Sequence, residues 1–383
     1  MRFRSHFLIR IGNYKRTVTP PDEHQVSTKS GNPPAGLTER QDELETALKA
    51  LVSERTLPLY RMMGYHMGWY ETTGEPRIGS TGLRVHGGLT LMVCSALGGN
   101  YADALPQACA VEYLYNHILI HDDIRDGNSE RDNRASVWWS WGPAQAINTG
   151  DGMHALARLS LFEARSKGVS TESVANAIRV LDQANLDTCE GQYRDIALQE
   201  RLDVGVDEYL TMSESQTGAL LACAVQLGAM ASGDVEDSVA EGLNTFGRKL
   251  GAAIRVADDC DVFWPVGQRD ETRQGRLIAK KKTLPVAYVV ESGTPTDRRR
   301  VGEIYMERVI DPESAKTLTE VLDEAGSREF STRTISRLLD EGISALETAN
   351  LPADAVEQLS EAARFLAKPE SLDLPEVTDG EEA

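Results

Sequence analysis

The chain has 383 residues, of which 41% are hydrophobic and 26% charged, and its net charge at neutral pH is −19. This composition is ordinary for a protein with a substantial apolar core, and the length allows one large helical domain. The acidic charge argues against nucleic acid and anionic membranes as partners, because both would be repelled.

Other features of the sequence concern the compartment. No uninterrupted apolar run reaches about 18 residues, so we expect no integral membrane segment. The basic N-terminus lacks an apolar core and a small-residue cleavage site, which disfavours a secretory signal. The five cysteines are dispersed without paired spacing and predict buried thiols in a reducing environment. We therefore expect a cytoplasmic protein.

The chain divides into three parts. Residues 1–36 are rich in Thr, Pro, Ser, Asn and Gly and predict a disordered extension, and residues 371–383 predict an acidic tail. Residues 37–370 carry nearly continuous helical periodicity. The strongest helical patterns after the first 65 residues cover 87–97, 104–121, 143–165, 171–198, 206–231, 235–263 and 284–291. We predict an all-α fold, a single large bundle of ten or more helices.

The first candidate site lies at the end of an apolar helix, in the run IHDDIRD. Asp122 and Asp126 are four residues apart and would share a helix face, where their charges repel, and Asp123 adds a third charge. A cation bridging them would relieve that repulsion, and oxygen ligands suit Mg²⁺. Taken alone the motif is weak, because a solvated acidic helix end has the same pattern.

A second apolar helix also ends in aspartates, Asp258, Asp259 and Asp261, and the cations Lys281 and Lys282 follow. Two such helix ends suggest one site, in which carboxylates hold Mg²⁺, the metal holds a diphosphate, and cations neutralise its remaining oxygens. Such a site makes diphosphate a leaving group and produces a carbocation in an apolar pocket.

Several sequence blocks resemble the polyprenyl synthetase (trans-isoprenyl diphosphate synthase) family in order and spacing. They are ILIHDDIRD (118–126), RDNR (131–134), WWSWGPAQAINTGDGMHAL (138–156), CEGQYRD (189–195), TGAL (217–220) and KKTLP (281–285). The similarity covers about residues 37–366. It implies a helical isoprenoid synthase fold, Mg²⁺ as cofactor, an allylic prenyl diphosphate as substrate and a homodimer.

The resemblance and the two motifs together predict four overlapping groups of site residues. The carboxylates expected to be catalytic are Asp122, Asp123, Asp126, Asp258 and Asp259, and those expected to hold the metal are Asp122, Asp126, Asp258 and Asp261. The expected diphosphate ligands are Arg131, Arg255, Lys281 and Lys282. The expected pocket residues are Tyr115, His117, Ile118, Gln192, Gln216 and Thr217; for His117, simple core packing is an equal alternative.

The sequence also departs from the family pattern. Members that elongate chains bind isopentenyl diphosphate through a GKRxRP segment, which here reads GLRVHG (82–87). Four positions expected to hold that diphosphate are changed: Leu83, His86, Ser95 and Asp132. Arg84 and Arg134 would compensate in part. On the allylic side, Gln216 replaces a Lys, Arg255 a Gln, and Arg276 an Asp.

Three functions fit these observations. A terpene-synthase-like enzyme would ionise one allylic diphosphate and then eliminate, cyclise or add water, and the changed isopentenyl site favours it. A prenyltransferase would elongate an allylic diphosphate with isopentenyl diphosphate. A non-catalytic subunit of a heteromeric synthase is disfavoured, because both aspartate clusters are kept.

Overall fold

A computed structural model describes residues 32–78, 81–265, 275–277 and 279–369. Helices make up almost all of its regular structure. They are α1 (Ala35–Thr38), α2 (Gln41–Ser53), α3 (Pro58–His66), α4 (Val85–Ala96), α5 (Tyr101–Asp126), α6 (Val137–Trp141), α7 (Pro143–Glu163), α8 (Thr171–Gln199), α9 (Val206–Ser213), α10 (Ala219–Ser232), α11 (Asp237–Phe263), α12 (Leu284–Ser292), α13 (Pro295–Met306), α14 (Pro312–Glu324), α15 (Ser327–Thr348) and α16 (Ala353–Leu366). The predicted all-α bundle is confirmed.

The first helix lies near the predicted start of the helical domain. Helix α1 begins two residues before the predicted start, and Leu37 within it is buried. The expected disorder of residues 1–31 and the expected tail at 371–383 lie outside the described residues. Among the helices described, none is both long and apolar enough to cross a membrane. Cys189 is exposed on α8, contrary to the expectation of buried thiols, while the other four cysteines are buried.

Helix α5 runs through the middle of the bundle and packs against α4, α7, α8 and α10. Its apolar residues lie on all sides, as in Ala108, Ala110 and Val111, each of which is fully buried, and a helix of that kind is enclosed on all sides. Gly127 ends the helix in a left-handed conformation (φ 71°) directly after the last aspartate. The acidic end of α5 therefore stops at the surface of the core.

Glycines allow three helices to approach each other closely beside that end. A Cβ on Gly191 of α8 would lie 2.4 Å from the backbone nitrogen of Gln216, and one on Gly251 of α11 would lie 2.4 Å from the Cα of Gly218. Residues Glu214–Gly218 form a π-helical turn, which separates α9 from α10 where the sequence predicted one continuous helix. Such turns are frequent at functional sites.

The only strands in the described residues are β1 (Glu130–Arg131) and β2 (Arg134–Ala135), an antiparallel hairpin that follows α5. Its two turn residues, Asp132 and Asn133, have φ of 51° and 57°. Hairpins of this length favour left-handed turn residues, and Asp and Asn tolerate that conformation. The hairpin brings Arg131 and Arg134 to the end of α5.

We predict that Gly191→Ala destabilises the fold. The added methyl would force the π-helical turn to shift, at a cost of about 1–3 kcal/mol, typical of overpacking. Urea unfolding followed by circular dichroism measures the change. The matched control is Gly302→Ala in α13, where no described atom lies within 4 Å of the new Cβ and a gain of up to about 1 kcal/mol is expected. Equal effects of the two changes would contradict the close approach.

Candidate active site

The two aspartate helix ends meet at one cavity of about 290 Å³, hereafter the aspartate cavity. Asp122 and Asp126 reach it from α5, and Asp258 reaches it from α11. Five cations also line it: Arg125, Arg131, Arg255, Arg276 and Lys281. The cavity therefore combines carboxylates with cations, as the sequence predicted for a diphosphate site.

Arg125 lies between the two carboxylates of α5. Its Nη1 is 2.9 Å from Asp122 Oδ1, and its Nε donates to Asp126 Oδ1 at 3.1 Å. Gln192 of α8 donates from Nε2 to Asp122 Oδ1 at 2.7 Å. Burial raises the pKa of Asp122, with Arg125 opposing the rise and Asp126 adding to it. Burial would also raise the pKa of Asp126, but Lys281 and Arg125 hold it below its ordinary value.

The second aspartate of the α5 motif positions an arginine. Asp123 is 1% exposed and accepts hydrogen bonds from Arg131 Nε at 3.0 Å and Nη2 at 2.6 Å. This two-point contact fixes the guanidinium plane. Successive residues lie about 100° apart around a helix, so Asp123 faces the buried layer while Asp122 faces the cavity.

Asp259 has the same relation to Asp258 on α11. It is fully buried and accepts hydrogen bonds from Tyr209 Oη at 2.5 Å and Arg276 Nη1 at 2.8 Å, while Arg255 Nε lies 3.5 Å away. Burial raises the pKa of Asp259, against the pull of Arg255 and Arg276. Neither Asp123 nor Asp259 lines the cavity, and each holds arginines that do.

A buried carboxylate on α8, Asp195, joins two of the cavity cations. Its Oδ2 is 3.2 Å from Lys281 Nζ, and its Oδ1 is 3.5 Å from Arg255 Nη2. Lys281 also donates to Asp126 at 2.7 Å. Burial would raise the pKa of Asp195, but Arg255 and Lys281 hold it below its ordinary value. The structure makes Asp195 the centre of an ion network.

Two of the departures from the family pattern compensate each other. Arg255 Nη1 donates to Gln216 Oε1 at 2.9 Å, and both residues line the aspartate cavity. The resemblance places a Lys at position 216 and a Gln at position 255. In this chain the amide and the cation have changed places, so the cavity keeps a positive charge there.

Some predicted residues lie elsewhere. Asp261 is 4% exposed and Lys282 is 2% exposed, and neither lines the aspartate cavity. Lys282 Nζ donates to the Gln199 carbonyl at 3.2 Å, and burial lowers its pKa to about 8. The positions of Asp261 and Lys282 therefore do not support ligand roles, because packing turns both side chains into the core.

Only some of the predicted pocket residues line the aspartate cavity. Tyr115 and Gln216 line the cavity, and Gln192 reaches it through Asp122. Thr217 lies in the π-helical turn, and Ile118 is 8% exposed. Neither of these, nor His117, is among the described residues that line the aspartate cavity.

A second cavity of about 300 Å³ adjoins the first, and Tyr115, Leu119 and Arg131 line both. Its distinguishing feature is a set of four guanidinium groups, and we name it the arginine cavity. They are Arg77, Arg84, Arg131 and Arg134. Sequence reasoning missed Arg77, because it lies in a loop without periodicity or a family motif.

Neighbouring groups orient the arginines of this cavity. Arg84 donates from Nε to Glu45 at 2.6 Å and from Nη2 to the Met67 carbonyl at 2.6 Å. Arg134 donates to the carbonyls of Tyr65 and Tyr70, at 2.8 Å each. A guanidinium has five N–H donors, so these bonds occupy only part of its capacity.

Asp132 also lines the arginine cavity. Its left-handed backbone (φ 51°) supplies a local reason for an Asp at this position. Arg125 was overlooked in the sequence although it lies three residues after Asp122, a spacing that places oppositely charged side chains together on a helix.

Comparisons with known proteins agree with this geometry. A family model described as polyprenyl synthetase matches residues 68–322. A (2E,6E)-farnesyl diphosphate synthase of Mycobacterium bovis is 30% identical over 360 residues, 92% of this chain and 97% of its own length. A geranylgeranyl diphosphate synthase of Mycobacterium tuberculosis is 32% identical over 301 residues, 78% of this chain and 84% of its own.

Solved structures give the same result. A polyprenyl synthetase from Streptomyces coelicolor has a TM-score of 0.78 at 31% identity, covering 87% of this chain and 98% of its own. A geranylgeranyl pyrophosphate synthetase from Pyrococcus horikoshii has a TM-score of 0.74 at 25% identity, covering 87% and 97%. The fold and the paired aspartate helix ends thus define an isoprenoid-diphosphate enzyme. The chain belongs to the polyprenyl synthetase family.

We predict that His86 makes stability depend on pH. Its ring lies 4.2 Å from that of Tyr115, and burial lowers its pKa from 6.5 to about 3. Below pH 6.5 the unfolded chain therefore binds a proton that the folded chain does not, so the free energy of unfolding falls as the pH falls.

The change His86→Gln removes this contribution. Between about pH 4.5 and about pH 6, the slope of unfolding free energy against pH should decrease by up to about 1.4 kcal/mol per pH unit. Urea titrations at several pH values measure the slope. A pH-independent loss of stability caused by the substitution does not change this slope. An unchanged slope would show that His86 is protonated in the folded protein.

Proposed function

We propose that this chain is a prenyltransferase that ionises an allylic prenyl diphosphate and joins it to isopentenyl diphosphate. The aspartate cavity would take the first substrate and the arginine cavity the second. The observation that carries the proposal is the contact between the two cavities, which share Tyr115, Leu119 and Arg131. A second anion-binding cavity next to the first is what a two-substrate reaction needs.

The comparisons favour this reading over the terpene-synthase-like one. The relatives with most of their length matched are named farnesyl and geranylgeranyl diphosphate synthases. The sequence argument for the other reading was the change at four positions, Leu83, His86, Ser95 and Asp132, at three of which a Lys or Arg is lost. Arg77 supplies a cation that the argument did not count, and Arg84 and Arg134 remain beside it.

Mg²⁺ is the metal that we propose for the aspartate cavity, and the donor set fits it. The side chains of Asp122, Asp126 and Asp258 are 20%, 19% and 46% exposed, so each has oxygen atoms at the cavity surface. Oxygen ligands with room for water are what Mg²⁺ prefers. When bound, the metal would neutralise charge on the departing diphosphate.

The protein's own contribution is to hold cations at fixed positions. Arg131 is held by Asp123, and Arg255 and Lys281 are held by Asp195. Cations fixed before the substrate arrives stabilise developing negative charge without the cost of reorganisation. Arg131, Arg255 and Lys281 would bind the allylic diphosphate. Lys282 is not among these ligands in the proposal, because it lies outside the cavity.

A homodimer is also part of the proposal. Large apolar side chains on α7 and α8 are between 45% and 75% exposed: Ile147, Leu159, Phe162, Leu186, Tyr193 and Ile196. An apolar surface of that kind is typical of a protein–protein interface. We propose that a second copy of the chain covers it. The cytoplasmic location stays a prediction from the sequence.

Product analysis tests the reaction. Purified protein with Mg²⁺ is incubated with geranyl, farnesyl or geranylgeranyl diphosphate, each with and without isopentenyl diphosphate. We expect a longer prenyl diphosphate only when isopentenyl diphosphate is present. Release of diphosphate with a hydrocarbon or alcohol in its absence would instead establish the terpene-synthase-like reading.

Arg77→Gln tests the arginine cavity. We expect the KM for isopentenyl diphosphate to rise about tenfold or more, because a charge-assisted hydrogen bond contributes about 1.5–3 kcal/mol. The KM for the allylic substrate should not change. Arg299→Gln is the control, since that side chain is 73% exposed on α13. A rise in the allylic KM instead would contradict the assignment of the two cavities.

Asp258→Asn and Asp261→Asn distinguish the carboxylates of the second motif. We expect Asp258→Asn to lower kcat about a hundredfold or more and to raise the Mg²⁺ concentration needed, because it removes a charge at the cavity. Asp261→Asn should lower the thermal midpoint with the Mg²⁺ requirement unchanged. The reverse pattern would restore the ligand role first expected for Asp261.

Leu186→Glu combined with Phe162→Glu tests the dimer. A buried charge on each subunit opposes association, so the sedimentation coefficient should fall to that of a monomer. Val309→Glu, at a site 58% exposed outside α7 and α8, is the control. A wild-type protein that sediments as a monomer at micromolar concentration would refute the proposal.

A further inference from the structure

Three imidazoles and two carboxylates lie together between α5, α7 and α8, apart from the residues that line the two cavities. They are His117, His121, Asp151, His154 and Asp182. His117 and His121 are one turn apart on α5, with ring centroids at 4.4 Å. The His154 ring stacks on His117 at 5.0 Å, with 17° between the ring planes.

Three members of this cluster have ligand atoms that lie close together. One nitrogen each of His117 and His121 and one carboxylate oxygen of Asp151 all lie within 4.8 Å of one another. A tetrahedral ion with bonds of about 2.0–2.1 Å holds its ligand atoms roughly 3.4 Å apart. Small side-chain rotations would bring the ligand atoms, now up to 4.8 Å apart, to that distance.

One nitrogen atom of the cluster is buried without a hydrogen-bond partner among the described residues. His117 is 9% exposed, and its buried Nδ1 has no hydrogen-bond partner in the described structure. Buried nitrogen atoms are normally paired, so an unpaired one indicates a missing partner. Burial lowers the pKa of His117 to about 4, which leaves the ring neutral with a lone pair.

The backbone of α7 makes room for the second imidazole. A Cβ at Gly150 would lie 2.4 Å from His121 Nε2, so only glycine lets this ring lie against α7. The same Nε2 is 3.7 Å from Asp151 Oδ1. His154 Nε2 lies 3.4 Å from Asn185 Nδ2 and 4.0 Å from Asp182 Oδ1.

We propose that His117, His121 and Asp151 bind one divalent transition-metal ion of the zinc class. Imidazole nitrogens with one carboxylate suit Zn²⁺ and Co²⁺, whereas Mg²⁺ prefers oxygen ligands alone. The ion would join α5 to α7 directly before Asp122. This site is independent of the proposed reaction, because it includes none of the cavity residues.

Cobalt is the probe that tests the site. The full-length protein is titrated with Co²⁺ in excess Mg²⁺, which occupies the aspartate cavity, and the visible absorption of nitrogen-ligated cobalt is recorded. We expect one ion per chain. His121→Asn and Asp151→Asn should each weaken binding tenfold or more. Asp151 is 65% exposed, so its variant keeps the fold even if a histidine variant does not.

Two control variants locate the ion. Asp258→Asn, in the aspartate cavity, and His86→Gln, a buried histidine outside the cluster, should both leave the cobalt spectrum unchanged. Zn²⁺ should raise the thermal midpoint of the wild type but not of Asp151→Asn. The proposal is overturned if wild-type protein shows no such absorption, or if the absorption survives both ligand changes or disappears in Asp258→Asn.

Discussion

The aspartate cavity depends on one buried carboxylate. Asp195 is 1% exposed, yet it lies between Lys281 and Arg255, which come from distant parts of the chain. Removing it would take one carboxylate partner from each of these two buried cations, which would then depend, among the described carboxylates, on Asp126 and Asp259 alone. Because Lys281 also reaches Asp126, the same network joins α8, α11 and the end of α5. The same ion network therefore determines both the shape and the charge of the cavity.

The two aspartate pairs are arranged in the same way. The first member of each pair, Asp122 or Asp258, lies at the cavity, and the second, Asp123 or Asp259, lies in the layer behind it. The buried members contact arginines that line the cavity, and the cavity is lined by five cations and three carboxylates. That excess of positive charge matches a diphosphate better than a metal alone, and it arises within a chain whose net charge is −19.

The sequence predicted what depends on local order and missed what depends on packing. Periodicity located the long helices, and the spacing of Asp122 and Asp126 placed both at one surface. The three-residue spacing of Asp258 and Asp261 predicted a shared surface as well, but neighbouring helices bury Asp261. The sequence has no periodic pattern that would predict the role of Arg77 or the π-helical turn. Both depend on contacts between segments that are distant in the sequence. The exchange between Gln216 and Arg255 likewise shows its meaning only in three dimensions.

The glycines beside the cavity have a consequence for how this enzyme can change. At Gly191 and Gly251, main chain meets main chain, and no side chain separates α8, α11 and the π-helical turn. Distances between the charged groups are therefore set by backbones in contact, not by the volume of apolar residues. Mutations of apolar residues around the cavity can alter the length of the prenyl chain that fits, while the charged groups keep their positions. Substrate range and catalytic apparatus can in this way diverge separately during evolution or in protein engineering.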